Sequence, residues 1–371
     1  MLAAHVTSFS APGTVSSTLK FGEVSLPEPP TKDNVVVEIK AAGINVDDVA
    51  LLQDTAGGGW FFHGKAPTIS DPLIGGIEFA GVVKEIGPKV KGLKVGDKVA
   101  ALQDIAVQKN PGCWAERTVS PEGHLIKFPN IPLTFVEAAS TSMAALVSGD
   151  MYTRAYGTSD AKTKIAPTKG TKGKVVVVGA SGGLGSVMVQ LLAGRPERPH
   201  IVAVCSSANA DRMKRLGADE IVDYKVGCFG TQLQESSMDF VFDFVGGKET
   251  EQDGRKVLRR GGKFITAVGP KQGIGDKVLT CSEWHGWMCG LLCNIFVGSC
   301  PCSKHGYEMA GGMPPLSEAV FNRVVVENNV RGEVATELPF TESAVRDGVA
   351  RVASRHPGGK VVINMEMDRD H

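Results

Sequence analysis

The stretch Lys174-Val-Val-Val-Val-Gly179-Ala-Ser181-Gly182-Gly183-Leu184-Gly185-Ser-Val-Met-Val-Gln-Leu-Leu192 decides how the chain folds. Four valines in a row, with no polar residue alternating, read as a strand buried on both faces, which is how strands of a parallel sheet read. After Gly185 the apolar residues recur at helical spacing. Between strand and helix lies Gly179–Gly185. Its glycines let the backbone turn sharply and approach a pyrophosphate, whose charge the helix N-terminus then meets. A glycine loop alone is a common turn. Here the strand before it, the helix after it and the rhythm that follows agree.

Working outward, strand-like runs follow at Ile201–Cys205, Glu220–Asp223, Phe240–Phe244 and Lys263–Val268, with helical stretches between several of them. That alternation is a doubly wound parallel sheet of the α/β class. Upstream the texture differs. Val35–Lys40, Gly75–Ile86 and Leu93–Ala100 are β-rich and separated by Gly, Pro and Asp turns, which predicts a small β-rich domain over roughly the first 130 residues. An Ala-rich helical run, Glu137–Tyr156, and a polar Lys/Thr linker, Asp160–Lys174, join the two.

The end of the second strand of such a sheet separates the two nicotinamide dinucleotides. A carboxylate there holds the adenosine 2′-hydroxyl and repels a 2′-phosphate. This chain reads Val204-Cys-Ser206-Ser207-Ala-Asn-Ala-Asp211-Arg212, with no acid at the strand end. Ser206, Ser207, Arg212 and the later Tyr224-Lys225 are suited to hydrogen-bond and neutralise a phosphate, which favours NADPH. Asp211, one helical turn on, argues the other way.

The 371 residues suit two domains, and 42% apolar with 22% charged residues is an ordinary globular balance. Forty basic residues against forty acidic ones leave no basic excess for a nucleic acid. The longest apolar run, Trp287–Cys300, is too short for a membrane span. The first residues carry neither the basic region of a signal peptide nor an Arg-rich transit pattern, so a cytoplasmic protein with its eight cysteines reduced is the expectation.

Several further stretches carry a resemblance: Ala41-Ala-Gly-Ile-Asn45-Val-Asp-Asp48, Gly76-Ile-Glu-Phe-Ala-Gly81, Val95-Gly-Asp-Lys-Val99, the glycine loop, Leu216-Gly-Ala-Asp-Glu-Ile-Val-Asp-Tyr224, Phe242-Asp-Phe-Val-Gly-Gly247 and Gly359-Lys-Val-Val-Ile363. In this order the chain resembles the medium-chain dehydrogenase/reductases, in their zinc-free quinone oxidoreductase branch, nearest the reticulon-interacting mitochondrial and chloroplast envelope members. The resemblance implies a discontinuous GroES-like catalytic domain over residues 1–140 and 313–371, with a Rossmann NADP-binding domain at 141–312 between them. Zinc-dependent members place Cys and His ligands where this chain has Ile44 or Asn45 and Ile77, and residues 100–125 hold only Cys113 of a four-cysteine lobe.

By the same resemblance Asn45 donates a hydrogen bond near nicotinamide and substrate. Ser181, Gly182, Gly183, Leu184 and Gly185 hold the pyrophosphate, and Ser206 and Tyr224 the 2′-phosphate. Val245 backs the nicotinamide ribose, and His356, Pro357 and Gly358 close over the cofactor. Where relatives carry Thr-Ala-Tyr, this chain has Val147-Ser-Gly149, so no proton donor is assigned. The implied activity is zinc-free, NADPH-dependent hydride transfer to quinones or to alkenes conjugated to a carbonyl, in a chain that binds a small-molecule substrate and has room to form a homodimer. The competing reading is a nucleotide-binding scaffold or RNA binder with vestigial catalysis.

Cys281, His285, Cys289 and Cys293 recur every four residues, with Cys300, Cys302 and His305 beyond. On a helix the four span roughly 18 Å and cannot converge on one ion. Neither a paired CxxC nor a familiar zinc spacing is present, so the segment reads as apolar, its thiols packing as small hydrophobes beside Trp284 and Trp287 at the border of the substrate cleft.

Overall fold

The computed structural model describes residues 1–53, 66–103, 112–128, 132–157, 173–270, 289, 292, 304–310 and 318–368. The described residues of Met1–Met143 and Met313–His371 form one compact unit, and those of Ala144–Gln272 and Cys281–Gly312 the other.

The first unit begins with β1 (Leu2–Val6), β2 (Lys20–Glu23), β3 (Asn34–Ile44), β4 (Leu73–Ile74), β5 (Glu78–Ile86), β6 (Lys98–Leu102), β7 (Arg117–Pro121) and β8 (Leu125–Lys127). The second contributes β9 (Lys174–Val178), β10 (His200–Cys205), β11 (Glu220–Asp223), β12 (Met238–Asp243), β13 (Leu258–Thr266) and β14 (Gly306–Met309). The chain then returns with β15 (Val334–Pro339) and β16 (Lys360–Asn364). The helices that matter below are α1 (Val46–Leu51), α2 (Phe135–Tyr156), α3 (Gly183–Ala193), α4 (Ala210–Leu216) and α5 (Glu342–Ala353).

In the first unit β15-β16-β3-β5-β6-β8 form a mixed sheet, with β7 paired to β3, and β2-β1-β4 form a smaller antiparallel one. Its core is aliphatic: Val35, Val37 and Ile39 of β3 alternate inward against Phe79, Trp114, Val349 and Val361. Trp114 is fully buried and donates its indole N–H to the Gly43 carbonyl at 3.1 Å. The closing strand matters for the site, because β16 pairs antiparallel with β3 in the register Val361↔Ile44. That register sets Lys360 beside the end of β3.

The second unit is a parallel sheet in the order β11-β10-β9-β12-β13-β14. Val175–Val178 are buried, as an unbroken valine run in a sheet covered on both faces requires. The glycine-loop helix α3 starts at Gly183, two residues before the spacing of apolar side chains shows it, because Gly183 and Gly185 leave no apolar mark to read. The Ala-rich helix α2 likewise starts at Phe135, where Thr134 and Glu137 form reciprocal capping bonds of 2.8 and 3.1 Å. Most of the polar linker lies outside the described residues, as do Cys281, His285, Cys293, Cys300 and Cys302. No helix among the described residues is long and apolar enough to cross a membrane.

Candidate functional site

In the second unit β9 is flanked on both sides: Val178 pairs with Val204 of β10 and with Asp243 of β12. The chain leaves β9 in one direction and later returns on the other side, so the carboxyl end of β9 is a topological switch point, where open α/β sheets bind ligands. The glycine loop lies there. Gly179 has φ +75°, a left-handed turn that side chains resist, and a Cβ on Gly185 would stand 2.3 Å from the Gly179 carbonyl oxygen. Glycine at both positions therefore lets helix and strand approach closely. Gly182 caps α3, so the N–H groups of Gly183, Leu184 and Gly185 have no partner within the helix and point out of its positive end. This cradle fits a pyrophosphate.

Two side chains brace the cradle from behind. Ser148 donates from Oγ to the Leu184 carbonyl at 2.9 Å, and Arg212 donates from Nη2 to the Ser181 carbonyl at 2.6 Å and to Asn209 Oδ1 at 3.1 Å. The sequence marked Arg212 as a counter-charge for phosphate; here its Nη2 is a strut between two loops. Ser148 sits in the Val147-Ser-Gly149 stretch, and only its contact reveals it.

Ser206 and Ser207 follow β10, while Tyr224 is exposed after β11. Between them stands Asp223. Its Oδ2 accepts the Ser207 N–H at 2.9 Å and its Oδ1 the Lys225 N–H at 2.8 Å. Those donated hydrogen bonds, from Lys225 and then Ser207, hold its carboxyl below the usual range. The end of the second strand carries no acid of its own; this one comes from the third, whose register is Cys205↔Asp223. On the far side Asp243, 1% exposed, accepts the N–H groups of Val245 and Gly246, both at 2.9 Å, and the Thr266 hydroxyl at 2.7 Å. Burial pushes its carboxyl up while the three donors pull it back. The effect is to fix the turn that carries Val245.

Tyr152 and Tyr156 belong to packing. The Arg195 guanidinium lies 3.6 Å from the Tyr156 ring centroid and donates to the Tyr152 hydroxyl at 2.6 Å. Burial pushes the Tyr156 phenol far up.

The first unit holds a second polar centre. Asn45 follows β3 and is the N-cap of α1; its N–H donates to Asp48 Oδ2 at 2.7 Å. Its side-chain Nδ2 donates to Glu78 Oε2 at 3.0 Å, and its Oδ1 accepts from Lys360 Nζ at 2.6 Å. Lys360 also donates to Glu78 Oε2, and Glu78 Oε1 accepts the Met143 N–H at 2.6 Å. Glu78 is 0%, Lys360 4% and Asn45 8% exposed. Glu78 and Lys360 lie in separate motifs, 33 and 315 residues from Asn45, and only the fold brings the three together. His356 is exposed, its Nδ1 against the Ser354 carbonyl at 2.7 Å, and Pro357 and Gly358 lead from it to β16.

Ile44 and Ile77 are buried aliphatic side chains, which offer no lone pair to a metal. Among the described residues no three His, Cys, Asp or Glu side chains are grouped to hold one. Of the cysteine segment, Cys289 is exposed with a free thiol, and His305 is buried, which lowers its imidazole pKa.

Residues 31–130 match the alcohol dehydrogenase GroES-like domain, and residues 216–294 the zinc-binding dehydrogenase model. The chain is 29% identical over 352 residues to the mitochondrial NAD(P)H oxidoreductase RTN4IP1 of Mus musculus, covering 90% of this chain and 82% of that protein. It is 29% identical over 255 residues to the 2-methylene-furan-3-one reductase of Solanum lycopersicum, covering 68% of this chain and 59% of that one. Among solved structures, the quinone oxidoreductase of Coxiella burnetii superposes with a TM-score of 0.73 at 20% identity, covering 99% of both chains. That last likeness concerns the fold.

Proposed function

Given that the chain belongs to the medium-chain dehydrogenase/reductase family and is an oxidoreductase, we propose that it is an NADPH-dependent reductase of quinones or of alkenes conjugated to a carbonyl, working without zinc. The observation that carries this is the glycine cradle at the switch point of the parallel sheet, with the hydroxyls of Ser206 and Ser207 after β10 and with both oxygens of the neighbouring Asp223 taken up by the Ser207 and Lys225 N–H groups. A nicotinamide, when bound, supplies hydride. Gly183, Leu184 and Gly185 offer main-chain N–H groups to the pyrophosphate, Ser206 and Tyr224 take the 2′-phosphate end, and Val245 stands on the turn that Asp243 fixes. Asn45 is the donor to the substrate oxygen, stabilising negative charge as it develops. His356, Pro357 and Gly358 form the closing segment.

Zinc independence rests on Ile44, Asn45 and Ile77, whose side chains do not suit zinc. The cytosol is the proposed compartment, although the mouse relative is named mitochondrial.

The test is NADPH and NADH oxidation by purified protein against a panel of quinones and enones, with and without a chelator. We expect turnover with NADPH that survives chelation. Absence of turnover with the whole panel, alongside intact NADPH binding, would leave a nucleotide-binding scaffold; activity lost on chelation and restored by zinc would overturn the metal-free reading.

A further inference from the structure

The buried knot around Asn45 joins an ammonium and a carboxylate from two strands of the first unit's sheet, β16 and β5, to a carboxamide from the helix cap that follows β3. Opposite charges grip the two ends of one amide. The Lys360 ammonium donates to Oδ1, and the Glu78 carboxylate accepts from Nδ2. Rotating the amide by half a turn would set its N–H groups against the ammonium and its oxygen against the carboxylate. Both contacts would become repulsive in a place from which water is excluded, where such interactions are strongest.

The grips themselves cannot shift. Glu78 is fastened through its other oxygen by the Met143 N–H, and its own carbonyl accepts from Cys113 Sγ at 3.3 Å. Gly43 leaves no slack beside it, since a Cβ there would stand 2.6 Å from Glu78 Oε2. Lys360 is held by its main-chain N–H on the Glu333 carbonyl at 2.7 Å, and Asn45 by its own N–H on Asp48. The amide has two Nδ2 hydrogens, and Glu78 takes one. No hydrogen bond among the described residues uses the second.

A buried ion pair is a poor device for stability alone, because apolar residues of similar volume serve as well or better. Its value here lies in orientation. We propose that Lys360 and Glu78 are positioning residues that lock the Asn45 amide in one of its two orientations, so that its second Nδ2 hydrogen is presented to the substrate oxygen. This rests on the reading of Asn45 as the donor to substrate. The pair does not touch the reacting atoms; it polarises and aims the group that does.

The experiment compares Asn45→Ala, the double variant Glu78→Gln/Lys360→Met, and Lys360→Arg with the wild type. The double variant removes both charges at nearly constant volume. Each protein is characterised by thermal melting, by NADPH affinity from fluorescence titration, and by kcat and KM with the best quinone or enone found. For the double variant we expect kcat to fall about 10- to 100-fold, the effect of misaiming a catalytic group, with NADPH affinity unchanged. Lys360→Arg, which keeps the charge, should recover part of kcat. If Asn45→Ala turns over like the wild type, the reading of Asn45 fails, and this inference with it. If Asn45→Ala is impaired while the folded double variant keeps its kcat, the reading of Asn45 stands and this inference alone is overturned. Should the double variant prove too unstable to assay, Glu78→Asp decides. It keeps both charges and withdraws the carboxylate by one methylene, so an unchanged kcat there also overturns the proposal.

Discussion

The glycine cradle and the Asn45 knot are built by opposite means. The cradle is written in seven consecutive residues, Gly179–Gly185, and works through main-chain N–H groups. The knot depends on the side chains of positions 45, 78 and 360 and the main-chain N–H of 143, whose bonds span 33, 65, 282 and 315 residues of chain. A site made of backbone is visible wherever glycine and a strand–helix junction coincide. A site made of side chains is visible only once strand register is known, here Val361↔Ile44 and Ala42↔Phe79. The two should also fail differently: the knot through electrostatics, the cradle through sterics.

The largest effect is expected from Lys360→Met alone. It leaves Glu78 buried and without its cation, and breaking a buried pair from one side costs about 3–5 kcal/mol. Urea unfolding should show that loss, and adding Glu78→Gln should recover most of it. A loss below about 1 kcal/mol for the single change would mean that the pair is not electrostatically coupled, since that is the worth of an exposed ion pair.

On the cradle side, Gly185→Val forces a Cβ to within 2.3 Å of the Gly179 oxygen, so α3 must move away from β9. Overpacking of this kind costs about 1–3 kcal/mol. NADPH titration should show binding lost with the displaced helix N-terminus, whereas the knot, built in the first unit, keeps its geometry. Tight NADPH binding by this variant would remove the cradle from the site.

Ser206→Asp tests the adenosine end. A second carboxylate beside Asp223 should weaken NADPH binding by about 1–3 kcal/mol through like-charge repulsion and leave NADH nearly unchanged. Titration of both nucleotides decides it: equal wild-type affinities would refute the assignment of Ser206, Ser207 and Tyr224 to a 2′-phosphate.

The same contrast explains what could be read in advance. The parallel sheet, its strand positions and the cradle were legible because each is local, coded by apolar runs and by glycines. The β-rich character of the first unit was legible from turn spacing. Asp223 was not, because its position beside Ser207 follows from the pairing of β10 with β11 and not from the strand that ends at Cys205. Ser148 and Arg212 are ambiguous in sequence for a related reason. A hydroxyl within an Ala-rich helix and an arginine near a phosphate site look the same in sequence whether they touch ligand or brace a carbonyl.

The smallest effect comes from Asp48, at the edge of the knot. Its carboxyl is 1% exposed; one oxygen accepts the Asn45 N–H, and the other has no hydrogen-bond partner among the described residues. A carboxylate near the start of a helix would ordinarily be favoured, but the helix that Asp48 starts, α1, has six residues. Burial wins and raises the pKa well above the ordinary Asp value, with Asp47 and Glu78 adding to it and Lys360 opposing. The folded protein therefore keeps this proton to higher pH than the unfolded chain. Between the ordinary Asp range and the raised folded value the folded state binds more protons, so this group's contribution to stability falls as pH rises. Asp48→Asn mimics the neutral acid and removes the titration. Melting curves of wild type and variant should therefore run close together at acidic pH and separate toward neutrality, with the wild type declining more. Parallel curves across the range would mean that Asp48 is already ionised in the fold, and that Lys360 serves two buried carboxylates instead of one.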